Sequence, residues 1–470
     1  MADTPRVRFA PAPTGYLHVG SARSALFNWL HARRYGGTLV LRIEDTNAEL
    51  ATPEFYAAIT EPLQWLGIDW DEGPHYQSER TEIYLAAIAK LVDSGAAYLC
   101  DCTRDAIDAR NAQTGFKGGY DRHCRDRSDV VDGDGVVVRF RTPTQGQIVI
   151  DDVVRGSVSF ETAEFEDFVV RRGNGTPVFL VANAVDDADM GITHVVRGED
   201  LLNTTPKVML LWQALDLGPA PTYAHLPLMV GDDRKKLSKR KDSVALADFE
   251  ADGFLPEAMA NYLALLGWGP PDDVEVRPMS EIIELFDLAG VNKAPAFFDM
   301  KKLEHINGEY IRALSPDELA ERLQPWLGAD APWPADRFDA TIFRAVVPHI
   351  QERLRRLSDI GPLVDWLFTE DPPAETNEKE LAKIAKAMGR DEVPAVLQAA
   401  ISALETCDWD AETLNAVVRQ VGDDLDAKSQ VPVRIAVTGR RVGPPLFEPM
   451  ALLDREVALV RLRAALAELS

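Results

Sequence analysis

Cysteine is scarce in this chain of 470 residues: four occur, Cys100, Cys102, Cys124 and Cys407. That count excludes a disulfide framework for a chain of this size and makes a reducing compartment the expectation. Long apolar runs are missing too. No stretch of about 18 apolar residues is present to span a bilayer, and the opening MADTPRVRF lacks the apolar core of a secretory signal. A soluble, cytoplasmic protein with no membrane partner is expected. Positive charge is the third shortage, with 50 Lys and Arg against 75 Asp and Glu and a formal net charge of −25. Such a balance argues against a broad electrostatic grip on nucleic acid, DNA included, so an RNA partner has to be met by local basic patches. Three are visible: Arg234 to Lys241, the pair Lys301-Lys302, and the trio Arg353, Arg355 and Arg356. What the chain does have is 46% apolar residues and a length that calls for roughly two to four domains.

The remainder is organised around Arg6 to Leu30, RVRFAPAPTGYLHVGSARSALFNWL. Val7-Arg8-Phe9 has strand character, Pro11, Pro13 and Gly15 interrupt regular structure, and His18-Val19-Gly20-Ser21 leads into an Ala/Leu/Phe-rich helical pattern. Strand, tight loop and helix start together suit an anion, because unpaired N–H groups and the positive end of the helix dipole point into the loop. Gly20 lets the backbone approach a phosphate, and His18 can donate to charge developing on a phosphoryl oxygen. The stretch points to nucleotide chemistry.

Thr38 to Ile43 reads as a second strand with Glu44-Asp45-Thr46 at its carboxyl end. In open parallel sheets ligands lie beyond the carboxyl ends of strands, which places Arg8, the first loop and Glu44 in one crevice. A carboxylate there holds an ammonium group and an arginine holds a carboxylate in a forked pair, the two ends of an amino acid. From Tyr98 to Asp187 short β-rich runs alternate with charged turns, which reads as an α/β insertion. The sheet resumes with Ile192 to Val196, followed by Arg197-Gly198-Glu199-Asp200. Downstream of Leu246 helical periodicity dominates. The expected fold is therefore α/β, a doubly wound, Rossmann-like parallel sheet over residues 1–97 and 188–250, with the insertion at 98–187. Helical domains follow at 251–320 and 321–470.

A second anchor is RKKLSKRKDSVAL, Arg234 to Leu246, where Lys236, Ser238, Lys239 and Arg240 crowd donors into five residues. That density suits a loop that closes over a triphosphate. PAPTGYLHVGS resembles the HIGH-type motif and Lys236-Leu-Ser-Lys-Arg240 the KMSKS-type motif of class I aminoacyl-tRNA synthetases. LRIEDT, VANAVDDADMGITHVVRGED and INGEYIR extend the likeness over essentially the whole chain, and the family it resembles is bacterial glutamyl-tRNA synthetase.

The resemblance implies a glutamate–tRNA ligase. Glutamate is activated with ATP and Mg²⁺, then transferred to the 3′ end of tRNA(Glu). It implies that Arg8 holds the α-carboxylate of L-glutamate, Glu44 its α-ammonium, and Arg197 its side-chain carboxylate, with Asn183 nearby. His18, Gly20, Lys236, Ser238 and Lys239 are implied at ATP, with His18 and Lys239 stabilising the transferring phosphoryl group. The insertion would hold the acceptor end, the 251–320 helices the stem, and the last domain the anticodon, with Arg353 near its last base. Three positions depart from the family pattern: Ala12 for serine, Phe179 for tyrosine, and Leu201 where histidine or tryptophan often stands. The alternatives are a non-discriminating enzyme that also charges tRNA(Gln), and a paralogue that binds tRNA without catalysis. The long helical half argues against a glutamyl-queuosine-type enzyme. A monomer is expected.

Cys100-x-Cys102 and, after 21 intervening residues, Cys124 form a candidate zinc knot in an insertion too small to bury much core. Tyr120, His123 and Asp126 are the candidates for a fourth ligand. The Tyr-x-x-x-Cys arrangement resembles that of glutamyl-queuosine-type synthetases, which implies Tyr120 and one structural Zn²⁺. Cys407 stands alone and reads as an ordinary thiol.

Overall fold

A computed structural model of the chain describes residues 4–13, 15–46, 52–114, 119–231, 245–328, 331–373, 375 and 377–469. The chain divides into two compact units, Met1–Phe249 with Met259–Met300, and Glu250–Ala258 with Lys301–Ser470. No helix among the described residues is long and apolar enough to cross a membrane.

The first unit begins with strand β1 (Arg6–Phe9), helix α1 (Val19–Tyr35), strand β2 (Thr38–Ile43), helix α2 (Pro53–Trp65), strand β3 (Glu72–Tyr76) and helix α3 (Thr81–Asp93). Next come β4 (Ala97–Cys100), α4 (Arg104–Thr114), β5 (Val137–Phe140), β6 (Gln147–Asp152), β7 (Gly156–Glu161) and β8 (Val169–Arg171). The large sheet is completed through α5 (Phe179–Asp189), β9 (His194–Gly198), α6 (Thr205–Leu215) and β10 (Thr222–Leu226), and β11 (Met229–Val230) follows outside it. Among the described residues the large sheet has the order β3-β2-β1-β9-β10-β6-β7. Its neighbours are parallel except for the β6–β7 hairpin, so the doubly wound parallel sheet is present, with an antiparallel edge. Helix α1 packs on β1, β2 and β9, while α3, α5 and α6 close over Val40, Val195 and Tyr223 from the other side. The strand order reverses between β1 and β9, and a crevice opens there beyond the carboxyl ends.

Two segments differ from the sequence reading. The β6–β7 hairpin falls within the expected insertion, yet Asp152 pairs with Tyr223 of β10 and extends the large sheet. Ile148 and Ile150 are buried while Val149 is 49% exposed, a one-sided alternation that needs a neighbouring sheet to cover it. The insertion keeps its own three-stranded sheet, β4-β5-β8. Further on, Met259–Met300 clusters with the first unit, not with the helical body expected from residue 251. The reason is apolar: Phe286 packs at 5.0 Å from Phe27 and 5.5 Å from Trp268, and β12 (Ala296–Phe297) pairs with β11. Strand β9 also starts two residues later than Ile192, because the Ile192 N–H closes α5 on the Asp187 carbonyl at 2.8 Å.

The second unit is helical. Helices Val393–Leu404, Ala411–Asp424, Gln430–Thr438 and Arg455–Glu468 bury Leu397, Leu404, Val418, Val433, Val437 and Leu462. Arg461, 2% exposed, donates to the carbonyls of Trp366 and Val437 at 2.8 Å, Glu370 at 3.1 Å and Thr369 at 2.6 Å. Replacing it would leave buried carbonyls without donors. Arg461→Leu is predicted to lower the unfolding free energy by about 3 kcal/mol, measured by urea denaturation. A loss below about 1 kcal/mol would mean that water satisfies those carbonyls.

Candidate active site

The first loop leaves β1 at Phe9 and ends at His18, which caps α1 from an extended backbone conformation. The His18 Nδ1 accepts the N–H groups of Gly20 at 3.1 Å and Ser21 at 3.3 Å. A nitrogen that accepts carries no proton, so in the neutral ring Nε2 holds the hydrogen, and Ser21 Oγ lies 3.1 Å from it. A Cβ at Gly20 would lie 3.1 Å from the His18 ring, a contact tight enough to make the imidazole shift by a few tenths of an ångström. Helix N-terminus, loop and strand ends line one cavity of about 520 Å³. Arg8, His18, Gly20, Glu44, Asn183 and Arg197 all line it.

Three arginines rise from adjacent strands on the face covered by α5. Register sets Arg8 opposite Val40, two residues before Arg42, and Val7 opposite His194, three before Arg197. The alternation of strands therefore puts all three on one side. Asp187 of α5 sits between two of them, accepting from Arg42 Nη1 at 2.8 Å and Arg8 Nε at 3.2 Å. Burial pushes the Asp187 carboxyl up, but Arg42 and Arg8 more than offset this and hold it below the usual carboxylate range. The neighbouring Asp186 is saturated by Arg80 at 2.8 Å, Gln77 at 3.0 Å and Tyr84 at 2.9 Å. Gln77 also donates to Asn183 Oδ1 at 3.2 Å, which leaves the Asn183 amide hydrogens for the cavity.

Glu44 and Asp45 divide their tasks. Asp45 turns inward to accept from Ser78 and Tyr56, whereas Glu44 lines the cavity, 3.9 Å from Arg42. Burial raises the Glu44 pKa, and Arg42 and Arg8 offset only part of it.

Arg197 is 7% exposed and is held by neutral partners. Its Nε donates to His225 Nε2 at 3.2 Å, and its Nη2 donates to Thr205 Oγ1 at 2.8 Å. Among the described residues no carboxylate lies within ion-pair distance of it. Burial lowers its pKa, and the charge of Arg8 pushes the same way. Ala12 and Leu201 line the cavity, but Phe179, at the start of α5, does not. Arg23 and Asp200 also line it, and nothing in their sequence spacing singles them out. Lys236, Ser238 and Lys239 lie outside the described residues. Ala245, which comes after that segment, pairs antiparallel with His18.

In the insertion the sulfurs of Cys100, Cys102 and Cys124 lie within 4.8 Å of one another. Tyr120 Oη is 3.3 Å from Cys100 Sγ and accepts the Cys124 N–H at 2.8 Å. His123 is exposed, and Asp126 points to Arg141 at 2.8 Å. Each sulfur faces an arginine: Arg139 at 3.4 Å from Cys100, Arg110 at 3.3 Å from Cys102 and Arg127 at 3.5 Å from Cys124. Soft thiolates in a compact set, with a phenol beside them, fit zinc. Cys407 lies elsewhere, against the Leu404 carbonyl.

In the second unit Arg353 ends an exposed turn, and its charge adds to burial in lowering the pKa of Arg434. A second cavity of about 270 Å³ is lined by Lys383, Lys386, Arg390, Lys428 and Arg441, with Glu392. Lys383 and Arg441 share Glu380. Among the described residues neither Lys386 nor Lys428 has a carboxylate in ion-pair distance. Sequence reasoning missed this cleft because its cations come from separate segments.

Comparison with known proteins agrees with the geometry. The family described as class I tRNA synthetases (E and Q), catalytic domain, matches residues 5–305, and the anticodon binding domain family matches residues 318–466. The glutamate–tRNA ligase of Thermobifida fusca is 49% identical over 474 aligned residues, covering 99% of this chain and 98% of that protein. That of Frankia casuarinae is 49% identical, with 98% and 97% covered. A crystal structure of a glutamate tRNA ligase from Elizabethkingia meningosepticum, in complex with its amino acid, matches with a TM-score of 0.86 at 28% identity over 100% of both chains. With its catalytic-domain family matched over more than half its length and relatives matched from end to end, the chain belongs to the glutamate–tRNA ligase family of class I aminoacyl-tRNA synthetases.

Proposed function

We propose that the chain activates L-glutamate with ATP and passes the glutamyl group to the 3′ end of tRNA(Glu). One observation carries the assignment: two buried guanidiniums, Arg8 and Arg197, line the same cavity as a helix N-terminus capped by His18. The cations suit the two carboxylates of glutamate, and the helix end suits phosphate. Glu44 takes the α-ammonium, which would draw its raised pKa back down. Asn183 adds amide donors. A carboxylate oxygen of glutamate attacks the α-phosphorus, pyrophosphate leaves, and a terminal ribose hydroxyl then displaces AMP. The protein contributes position and charge: the His18 ring and the helix end behind it at the phosphates, Gly20 giving backbone access, and Lys236, Ser238 and Lys239 adding donors to ATP. Mg²⁺ arrives with the nucleotide and shields its phosphate charge.

Charging of purified tRNA(Glu) and tRNA(Gln), assayed separately, tests the function. Product with tRNA(Glu) alone is expected, and product with both would mean a non-discriminating enzyme. Arg197→Gln is predicted to lower kcat/KM for glutamate about 100-fold or more, since an unpaired substrate carboxylate would then enter a dry site. Undiminished use of glutamate by that variant would remove Arg197 from the specificity role.

Cys100, Cys102, Tyr120 and Cys124 are proposed as the ligands of one structural zinc, which cross-links the insertion. Elemental analysis of protein purified without chelator is predicted to find about one zinc per chain, lost on Cys102→Ala. A zinc content near zero in the unaltered protein would overturn the assignment.

Arg353 and the Lys386–Lys428 cleft are proposed to meet the anticodon arm. Lys386→Glu with Lys428→Glu is predicted to raise KM for tRNA about tenfold and to flatten its salt dependence by about two units of slope. KM for glutamate should hold. An unchanged tRNA KM would exclude the cleft from RNA contact.

A further inference from the structure

Arg197 is placed by a chain of partners that begins in the hairpin at the edge of the sheet. Asp152, the last residue of β6, is buried. Its carboxylate accepts from the backbone N–H groups of Val154 at 3.0 Å, Arg155 at 2.7 Å and His225 at 3.1 Å. The same carboxylate lies 2.6 Å from His225 Nδ1. A carboxylate accepts, so Nδ1 carries the proton, and Nε2 is left as an acceptor, 3.2 Å from Arg197 Nε–H and 3.1 Å from the Thr205 hydroxyl. A doubly protonated ring would set two N–H groups against each other at that contact. The tautomer is therefore fixed from both sides. Burial keeps the His225 pKa below its usual value against the pull of Asp152, with Arg197 acting in the same direction as burial. Thr205 takes the other edge of the guanidinium at 2.8 Å, and the Tyr223 ring stacks along His225 at 5.8 Å.

We infer that His225, oriented by Asp152, is the positioning residue that aims Arg197 at the substrate's side-chain carboxylate. The inference rests on the proposed role of Arg197. A carboxylate placed directly on Arg197 would position it equally well but would neutralise it and compete with glutamate. The neutral imidazole holds the guanidinium while its charge stays available, and the carboxylate is kept one ring away.

Two amide substitutions separate positioning from bulk. Glutamine at this position reaches about as far as Nε2 and can accept from Arg197, whereas asparagine reaches only the Nδ1 position. In ATP–pyrophosphate exchange run with tRNA present, His225→Gln is expected to keep KM for glutamate within about threefold of the unaltered enzyme. His225→Asn is expected to raise it about 10-fold to 30-fold. KM for ATP should stay within about twofold in both, and circular dichroism checks that both fold. Equal behaviour of the two variants, or a parallel rise of both KM values, would overturn the proposal. Arg197→Gln is the control. If it raises KM for glutamate while the His225 variants match each other, the positioning role alone fails; if it has no effect, the Arg197 role fails first.

Discussion

Three guanidiniums emerge on one face of the sheet, from β1, β2 and β9, and the site depends on how their charge is divided. Two unit charges about 4 Å apart interact by roughly 4 kcal/mol at an effective dielectric of about 20, so a buried trio without anions would not persist. Helix α5 supplies Asp186 and Asp187 side by side, and Arg42, fully buried, lies near both. Arg8 receives only a share of Asp187, and Arg197 receives no anion among the described residues. The division is unequal, and the cavity lies on the side where it falls short. A ligand with two carboxylates would complete it. Breaking the arrangement by removing Asp187 would expose uncompensated charge rather than a simple cavity, and buried ion networks lose most when one partner is deleted.

The same logic explains how a chain with a net charge of −25 can hold polyanions. Its positive potential is local. In the first unit it comes from Arg8 and Arg197, from the helix end at His18, and from Arg23. In the second it comes from the Lys386–Lys428 cleft, whose acidic residues are already engaged with Lys383, Arg390 and Arg441. Negative charge around such basic patches, those at Arg353 and Lys301-Lys302 included, disfavours nucleic acid, so long-range steering is traded for selectivity where the sign reverses.

The parts legible in the sequence are those set by local chemistry. Pro11, Pro13 and Gly15 force a loop, His18 caps the helix that begins at Val19, and the carboxyl-end rule for parallel strands puts Glu44 beside Arg8. The sulfur cluster is legible because Cys100 and Cys102 share one strand end. The illegible parts depend on pairing across distance. Nothing in Gln147–Glu161 says which sheet its apolar face will cover, so the hairpin reads as part of the insertion. Asp152, Thr205 and His225 share no spacing that marks them, and they meet only because β10 lies between β9 and β6. Met259–Met300 reads as helical body because Phe286 looks like any core aromatic until Phe27 is placed beside it. The donors of the Lys236–Lys239 segment lie outside the described residues, and their expected contact with ATP rests on sequence alone.

The insertion solves a different electrostatic problem with the same residue type. If the proposed zinc is held there, three thiolates and the Tyr120 oxygen around one divalent cation would carry excess negative charge in a small domain, a costly arrangement unless offset nearby. Arg110, Arg127 and Arg139 stand one to each sulfur, and the Arg139 guanidinium lies 3.7 Å from the centre of the Tyr120 ring. That contact fixes the ring by cation–π attraction as well as by the hydrogen bond to the Cys124 N–H. A tyrosine offered as a ligand is a weaker and bulkier donor than a cysteine or histidine, so its orientation has to be imposed by neighbours. Here the neighbours that impose it are those that balance the charge, which ties the choice of tyrosine at position 120 to the arginine at 139.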